Sequence, residues 1–166
     1  MSNNNNNANA NEVNLTQDIF TALIDNHEIQ RALCDKLEST KDEAQRKAIY
    51  EELKLELHSH AAAEERHLYV PVIQHDDGLD LSRHAITEHH EMDEMMETLD
   101  DGRIGQEKWD STCADLIHKV RHHLKEEENK FFKEAKKILD SDLQQRLGSL
   151  YQVEYAEFKQ THADDA

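Results

Sequence analysis

Two short stretches of this chain place an imidazole and a carboxylate one helical turn apart. His60-Ala61-Ala62-Ala63-Glu64-Glu65 is followed three residues later by Leu68-Tyr69, and His123-Leu124-Lys125-Glu126-Glu127-Glu128 by Phe131-Phe132. Both read His-x-x-x-Glu-Glu-x-x-apolar-aromatic, and the copies lie 63 residues apart. An α-helix turns about 100° per residue, so residues four apart share a face. Two such helices facing each other bring two nitrogens and two oxygens into one buried volume. Helical bundles build carboxylate–histidine metal sites in that way. Imidazole and carboxylate without thiolate suit iron, and also manganese or zinc.

The pattern needs helices to carry it, and the composition supplies them. With four glycines and one proline (Pro71) in 166 residues, little punctuates strands or tight hairpins, so the expected fold class is all-α. The apolar periodicity predicts a first helix over about 16–38, capped by Thr16, on the stripe Phe20, Leu23, Ile24, His27, Cys34, Leu37. A second runs from about 41 to 70 on Ile49, Leu53, Leu57, His60, Glu64, Leu68, with Pro71 ending it and Asp76-Asp77-Gly78 forming a loop. A third, about 80–100, carries Ile86, His89, Met92, Met96 and Leu99. A fourth, about 106–139, carries Trp109, Cys113, Leu116, Val120, His123, Glu127 and Phe131. A shorter fifth, about 141–159, packs on the outside or at one end. Short connections imply an up-down-up-down four-helix bundle with an additional C-terminal helix. The expected organisation is a disordered Asn-rich leader over 1–14, the bundle over 15–140, and a C-terminal helix and tail over 141–166.

In each of the four helices a polar donor interrupts the apolar stripe: His27, then His60 and Glu64, then His89, then His123 and Glu127. Burying four imidazoles and two carboxylates without partners costs several kcal/mol for each isolated charge. A pair of divalent cations removes that cost, with a carboxylate from each of two helices able to bridge. Glu65 and Glu128 follow the inner glutamates by one residue, point sideways, and read as salt bridges or solvated charges. His58, His67, His75, His84, His118 and His122 have no supporting geometry, and His90 lies off the stripe.

The formal net charge of −17 argues against nucleic acid and against an anionic membrane surface. Cys34 and Cys113 lie in separate helices and read as buried thiols, a single disulfide remaining open. No 18-residue apolar run and no signal-peptide core are present, so a soluble, cytoplasmic protein is expected.

At this point the chain resembles the hemerythrin-like family of HHE cation-binding domains. The resemblance rests on Asp18-Ile19-Phe20 with Asn26-His27-Glu28, on the two His-x-x-x-Glu-Glu blocks, and on Glu88-His89, and it covers roughly 16–140. It implies a non-haem di-iron centre with His27, His60, His89 and His123 as terminal ligands. Glu64 and Glu127 then bridge, together with a solvent-derived oxo or hydroxo group. One departure stands out: the oxygen-carrying members place two histidines one turn apart on the third helix, whereas here the positions flanking His89 are Ala85 and Asp93. Asp93 or water would have to substitute. The expected function is metal binding with reactivity toward O2, peroxide or nitric oxide, an enzymatic role being open. The alternatives are an iron- or oxygen-responsive regulatory bundle, reversible oxygen storage, and an interaction bundle without metal.

Overall fold

Asp18, Asp42 and Asp140 each end an extended stretch and start a helix. Their carboxylates accept from the backbone N–H groups of Phe20 and Thr21, of Gln45, and of Leu143, satisfying donors that the first helical turn cannot pair internally. In a computed structural model that describes residues 15–163, five helical rods follow one another, with no strand among the described residues. The Asn-rich leader over 1–14 lies outside the described residues. Helix α1 is Ile19–Ser39. Helix α2 is a continuous rod over 43–73, made of Glu43–Glu64, a π turn Glu65–Tyr69 and Val70–Ile73. Helix α3 is Asp76–Asp100. Helix α4 is a second interrupted rod over 106–138, made of Gln106–Glu126, a π turn Glu127–Phe131 and Phe132–Ile138. Helix α5 is Ser141–His162.

The all-α, up-down-up-down bundle with an extra C-terminal helix is what the structure has, with three local corrections. Asp18, rather than Thr16, caps α1. Pro71 does not end α2: it falls directly after the π turn, and the rod continues to Ile73. Asp76-Asp77-Gly78 is the first turn of α3, not a loop. Gly78 permits this close start, because a Cβ there would stand 2.4 Å from Val72 Cγ1 and 2.5 Å from the Val72 carbonyl oxygen.

Two apolar clusters fill the interior. One gathers Phe20, Leu23, Leu68, Val72, Phe131, Phe132 and Leu147; the other gathers Leu37, Leu53, Met96, Trp109, Leu116 and Leu124. The buried histidines and glutamates form a polar belt of their own, outside both clusters. Cys34 and Cys113 belong to the second cluster as free thiols, and burial pushes Cys34 up to about 12. Helix α5 packs across α1 and α2. Its Gly148 touches the backbone of Gln17 and Asp18, and its Tyr151 is buried in the first cluster. Among the described residues no helix is long and apolar enough to cross a membrane.

Candidate metal centre

Helix periodicity and the antiparallel packing bring the six predicted donors to one place, and none is more than 5 % exposed. His27, His60, Glu64 and Glu127 place one donor atom each within 4.8 Å of the others, as do Glu64, His89 and His123. Glu64 belongs to both groups. Its Oε2 lies 3.0 Å from His60 Nε2 and 3.5 Å from His89 Nε2. Glu127 spans the same two halves through different oxygens, with Oε1 3.3 Å from His27 Nε2 and Oε2 3.6 Å from His123 Nε2.

All four imidazoles turn Nε2 inward, and each Nδ1 faces a polar group outside the ring. His89 Nδ1 lies 3.0 Å from Glu65 Oε1, and His123 Nδ1 3.2 Å from Glu88 Oε1. His27 Nδ1 lies 3.6 Å from Glu128 Oε1, and Arg31 holds that same carboxylate. His60 Nδ1 is 2.8 Å from Tyr151 Oη, whose hydroxyl donates to Asn26 Oδ1. For His60, His89 and His123, outward N–H donation fixes the tautomer that leaves the Nε2 lone pair pointing to the centre, as metal-binding histidines require, whereas His27 Nδ1 faces Glu128 at ion-pair rather than hydrogen-bond distance. Glu65 and Glu128 do form ion pairs, as their sideways direction predicts. Their partners include inner histidines of neighbouring helices, so they orient the ring rather than merely face solvent.

Within the belt, several polar atoms have no hydrogen-bond partner: both nitrogens of His27, His60 Nε2, both oxygens of Glu64 and Glu127 Oε1. Buried donors and acceptors are paired in the great majority of cases, so a cluster of orphans calls for an occupant. Donor separations of 3.0–3.6 Å match those set by metal bonds of about 2.0–2.2 Å to nitrogen and oxygen. The donor set therefore fits divalent cations. Burial works against charge on His27, but Glu127 and Glu128 more than offset it and raise the imidazole to about 9. Burial, reinforced by His27, drives His60 well below the ordinary histidine range. Burial also opposes charge on His89, yet Glu65 and Glu64 raise it.

Asp93 lines the small cavity beside His60, His89 and His123 but places no oxygen in either donor group. Its side chain is half exposed and pairs with His58 at 3.4 Å. The group that stands beside His89 instead is Tyr69, whose Oη lies 3.3 Å from His89 Nε2 and donates to Glu127 Oε2. Burial and the Glu127 carboxylate hold that phenol well above the ordinary tyrosine range, so it stays protonated. Tyr69 sits in the repeated motif, but ideal helix arithmetic turns it away from Glu64. The π turn supplies the missing rotation: Val70 N–H bonds to Glu65, five residues back, and the extra residue swings Tyr69 inward. Tyr151 carried no local signal, because it arrives from α5.

Beside the ring, Gln30, Leu57, Met92, Asp93 and Met96 line a cavity of about 10 Å³ together with His60, His89 and His123. Gln30 is 1 % exposed and its Nε2 has no partner. A sequence model described as the hemerythrin HHE cation binding domain matches residues 18–135. No curated protein and no solved structure matches the chain.

Proposed function

This chain belongs to the hemerythrin HHE cation-binding domain family, and we propose from that membership and the donor ring that it holds two iron ions and reacts through them with O2, peroxide or nitric oxide. The observation that carries the reading is the cluster of orphaned, inward-facing Nε2 and carboxylate atoms in a belt otherwise sealed from water. His27 and His60 would serve one ion, His89 and His123 the other, and Glu64 and Glu127 both. Iron supplies the redox chemistry and the place where a small ligand binds.

The chain's own residues provide the rest. Glu65, Glu88 and Tyr151 hold His89, His123 and His60 in one tautomer, and Glu128 stands beside His27 Nδ1. Leu57, Met92 and Met96 form the apolar wall of the adjoining small cavity, which leaves no room for large substrates. Tyr69 keeps a proton at Oη, in contact with Glu127 and His89, where a reacting oxygen species could take it up. Gln30 offers an unpaired N–H into the same space. Without a histidine at Ala85 or Asp93, an ion held by His89 and His123 would have fewer nitrogen donors than in the oxygen carriers, which favours reactivity over storage.

Anaerobic Fe(II) loading followed by elemental analysis and exposure to air tests the reading. The expected result is close to two irons per chain, near-ultraviolet ligand-to-metal absorption after oxidation, and rapid oxidation in stopped-flow mixing with O2. Uptake of at most one iron by folded protein overturns the dinuclear assignment. A stable, reversible O2 adduct moves the function to oxygen storage.

A further inference from the structure

A second set of donors stands on the seam between α3 and α4, outside the ring. His84 and Glu88 on α3, and His122 and Glu126 on α4, repeat the His-x-x-x-Glu spacing of the core pairs. The sequence alone gives these histidines no partner across the bundle; the packing does. His84 Nε2 lies 3.3 Å from Glu88 Oε1 and 3.3 Å from Glu126 Oε2, and His122 Nε2 lies 3.3 Å from that same Glu126 oxygen. His84, Glu88 and Glu126 place one donor atom each within 4.8 Å of the others. Ligands of a tetrahedral cation with bonds of about 2.1 Å stand ~3.4 Å apart, so these separations, which also suit direct histidine–carboxylate ion pairs, fit a cation.

Two independent features point the cluster at the core. Glu88 is only 3 % exposed, and its Oε1 faces both His84 and, at 3.2 Å, the Nδ1 of core His123. Directly behind the cluster is a cavity of about 20 Å³, bounded by Ala85 and Phe131, whose lining includes both the cluster and the core donors His123 and Glu127. That is room for one water or one small ion. Lys130 binds the other oxygen of Glu126 and Lys119 the other oxygen of Glu88. The lysines thus fix both carboxylates while leaving one oxygen of each for His84. The side chains grade inward, from exposed His84 through half-buried Glu126 to buried Glu88.

We propose that His84, Glu88 and Glu126, with His122 at the rim, capture a hydrated divalent cation and pass it through this cavity to the core. The capture step stands on the seam geometry; the delivery step rests on the di-iron reading of the core. The chemistry is ligand exchange: water leaves the cation as the imidazole and carboxylates enter, with no change of oxidation state.

The test compares the parent with the double variant His84→Ala/Glu126→Gln, and with Glu97→Gln as a control for the loss of one exposed charge. Anaerobic equilibrium dialysis with Fe(II) counts bound ions, and release to a chromophoric chelator after timed mixing gives the loading rate. The parent should bind two ions tightly and a third weakly. The double variant should lose the third ion, fill the core at least tenfold more slowly, and reach the parent's final spectrum and melting temperature. Glu97→Gln should behave as the parent. An unchanged loading rate in the double variant, or no third ion in the parent, overturns the proposal. Failure of the core reading looks different: the tight pair is missing from the parent, Glu64→Ala changes nothing, and the one remaining ion is lost with His84.

Discussion

Each inner imidazole faces a polar side chain at Nδ1, and that contact separates two kinds of glutamate that adjoin in the sequence. Glu64 and Glu127 aim their oxygens at the Nε2 atoms, whereas Glu65 and Glu128 meet the Nδ1 atoms of His89 and His27. Glu64→Ala or Glu127→Ala should therefore lose one or both irons. Glu65→Ala and Glu128→Ala should keep the two-iron stoichiometry with affinity lowered by about 10–100-fold, the usual cost of removing a ligand's orienting partner. Competition against a chelator of known affinity measures both effects. Equal loss from all four substitutions would show that the ring is not divided in this way. Gln30 allows a complementary test, since its unpaired Nε2 lies in the small cavity beside three of the histidines. One hydrogen bond to a charged ligand is worth about 1.5–3 kcal/mol. Gln30→Leu should thus weaken azide binding to the ferric protein by about tenfold or more while leaving iron content unchanged. A variant that binds azide as tightly as the parent removes Gln30 from the ligand's surroundings.

At the scale of elements, what the sequence could reveal depended on whether a signal was local and regularly helical. His27, His60, His89 and His123 were legible because each replaces an apolar residue in an unbroken α-helical stripe. Tyr69 was not, because the π turn starts at the residue after Glu64 and breaks the 100° rule before Tyr69 is reached. Its counterpart Phe132 follows the second π turn at the same offset from Glu127 and stacks on His27 with centroids 5.8 Å apart. Asp18 displaced Thr16 as the cap through a choice between two good capping residues two positions apart. The partnership of His84 with Glu126 needed the register of α3 against α4, which no single helix encodes. Helix α5 is the least legible contributor, since its role depends on docking. Gly148 sets that docking: a Cβ there would lie 2.2 Å from the Gln17 carbonyl oxygen and 2.7 Å from the Asp18 carbonyl carbon. Gly148→Ala must push α5 off the start of α1, costing about 1–3 kcal/mol as an overpacked contact does. It should also pull Tyr151 from His60 and lower iron affinity. Chemical denaturation paired with chelator competition reads both quantities, and a variant with parental stability would show that α5 is not held by this contact.

Across the whole molecule, the halves of the bundle are related but unequal. His27, His60, Glu64 and Glu65 correspond to His89, His123, Glu127 and Glu128. Asn26, which precedes His27, corresponds to Glu88, which precedes His89. Where Glu88 contacts His123 directly, Asn26 reaches His60 only through Tyr151, a residue lent by α5. One half is therefore tied to the seam with His84, and the other to the C-terminal helix. The belt between these ties is the weak stratum of the molecule when metal is absent. Its orphaned polar atoms are buried without compensation, while the apolar clusters Phe20/Leu68/Phe132 and Leu53/Met96/Leu116 remain intact. An ion held at a hundred times its dissociation constant adds about 2.7 kcal/mol to the native state. For two ions, at about 2–4 °C per kcal/mol for a chain of this size, the melting temperature should rise by roughly 10–20 °C on loading. The helical signal should persist in the metal-free form, because both apolar clusters still bury their stripes. Hydrogen exchange should slow most in the centres of α2 and α4, around 60–69 and 123–132, and least at the helix ends packed in the apolar clusters. Calorimetry and exchange on the same metal-free and iron-loaded samples make the comparison. An unchanged melting temperature after verified metal removal would mean that the belt satisfies its own polar atoms, and the orphans at its centre would lose their meaning as a metal site.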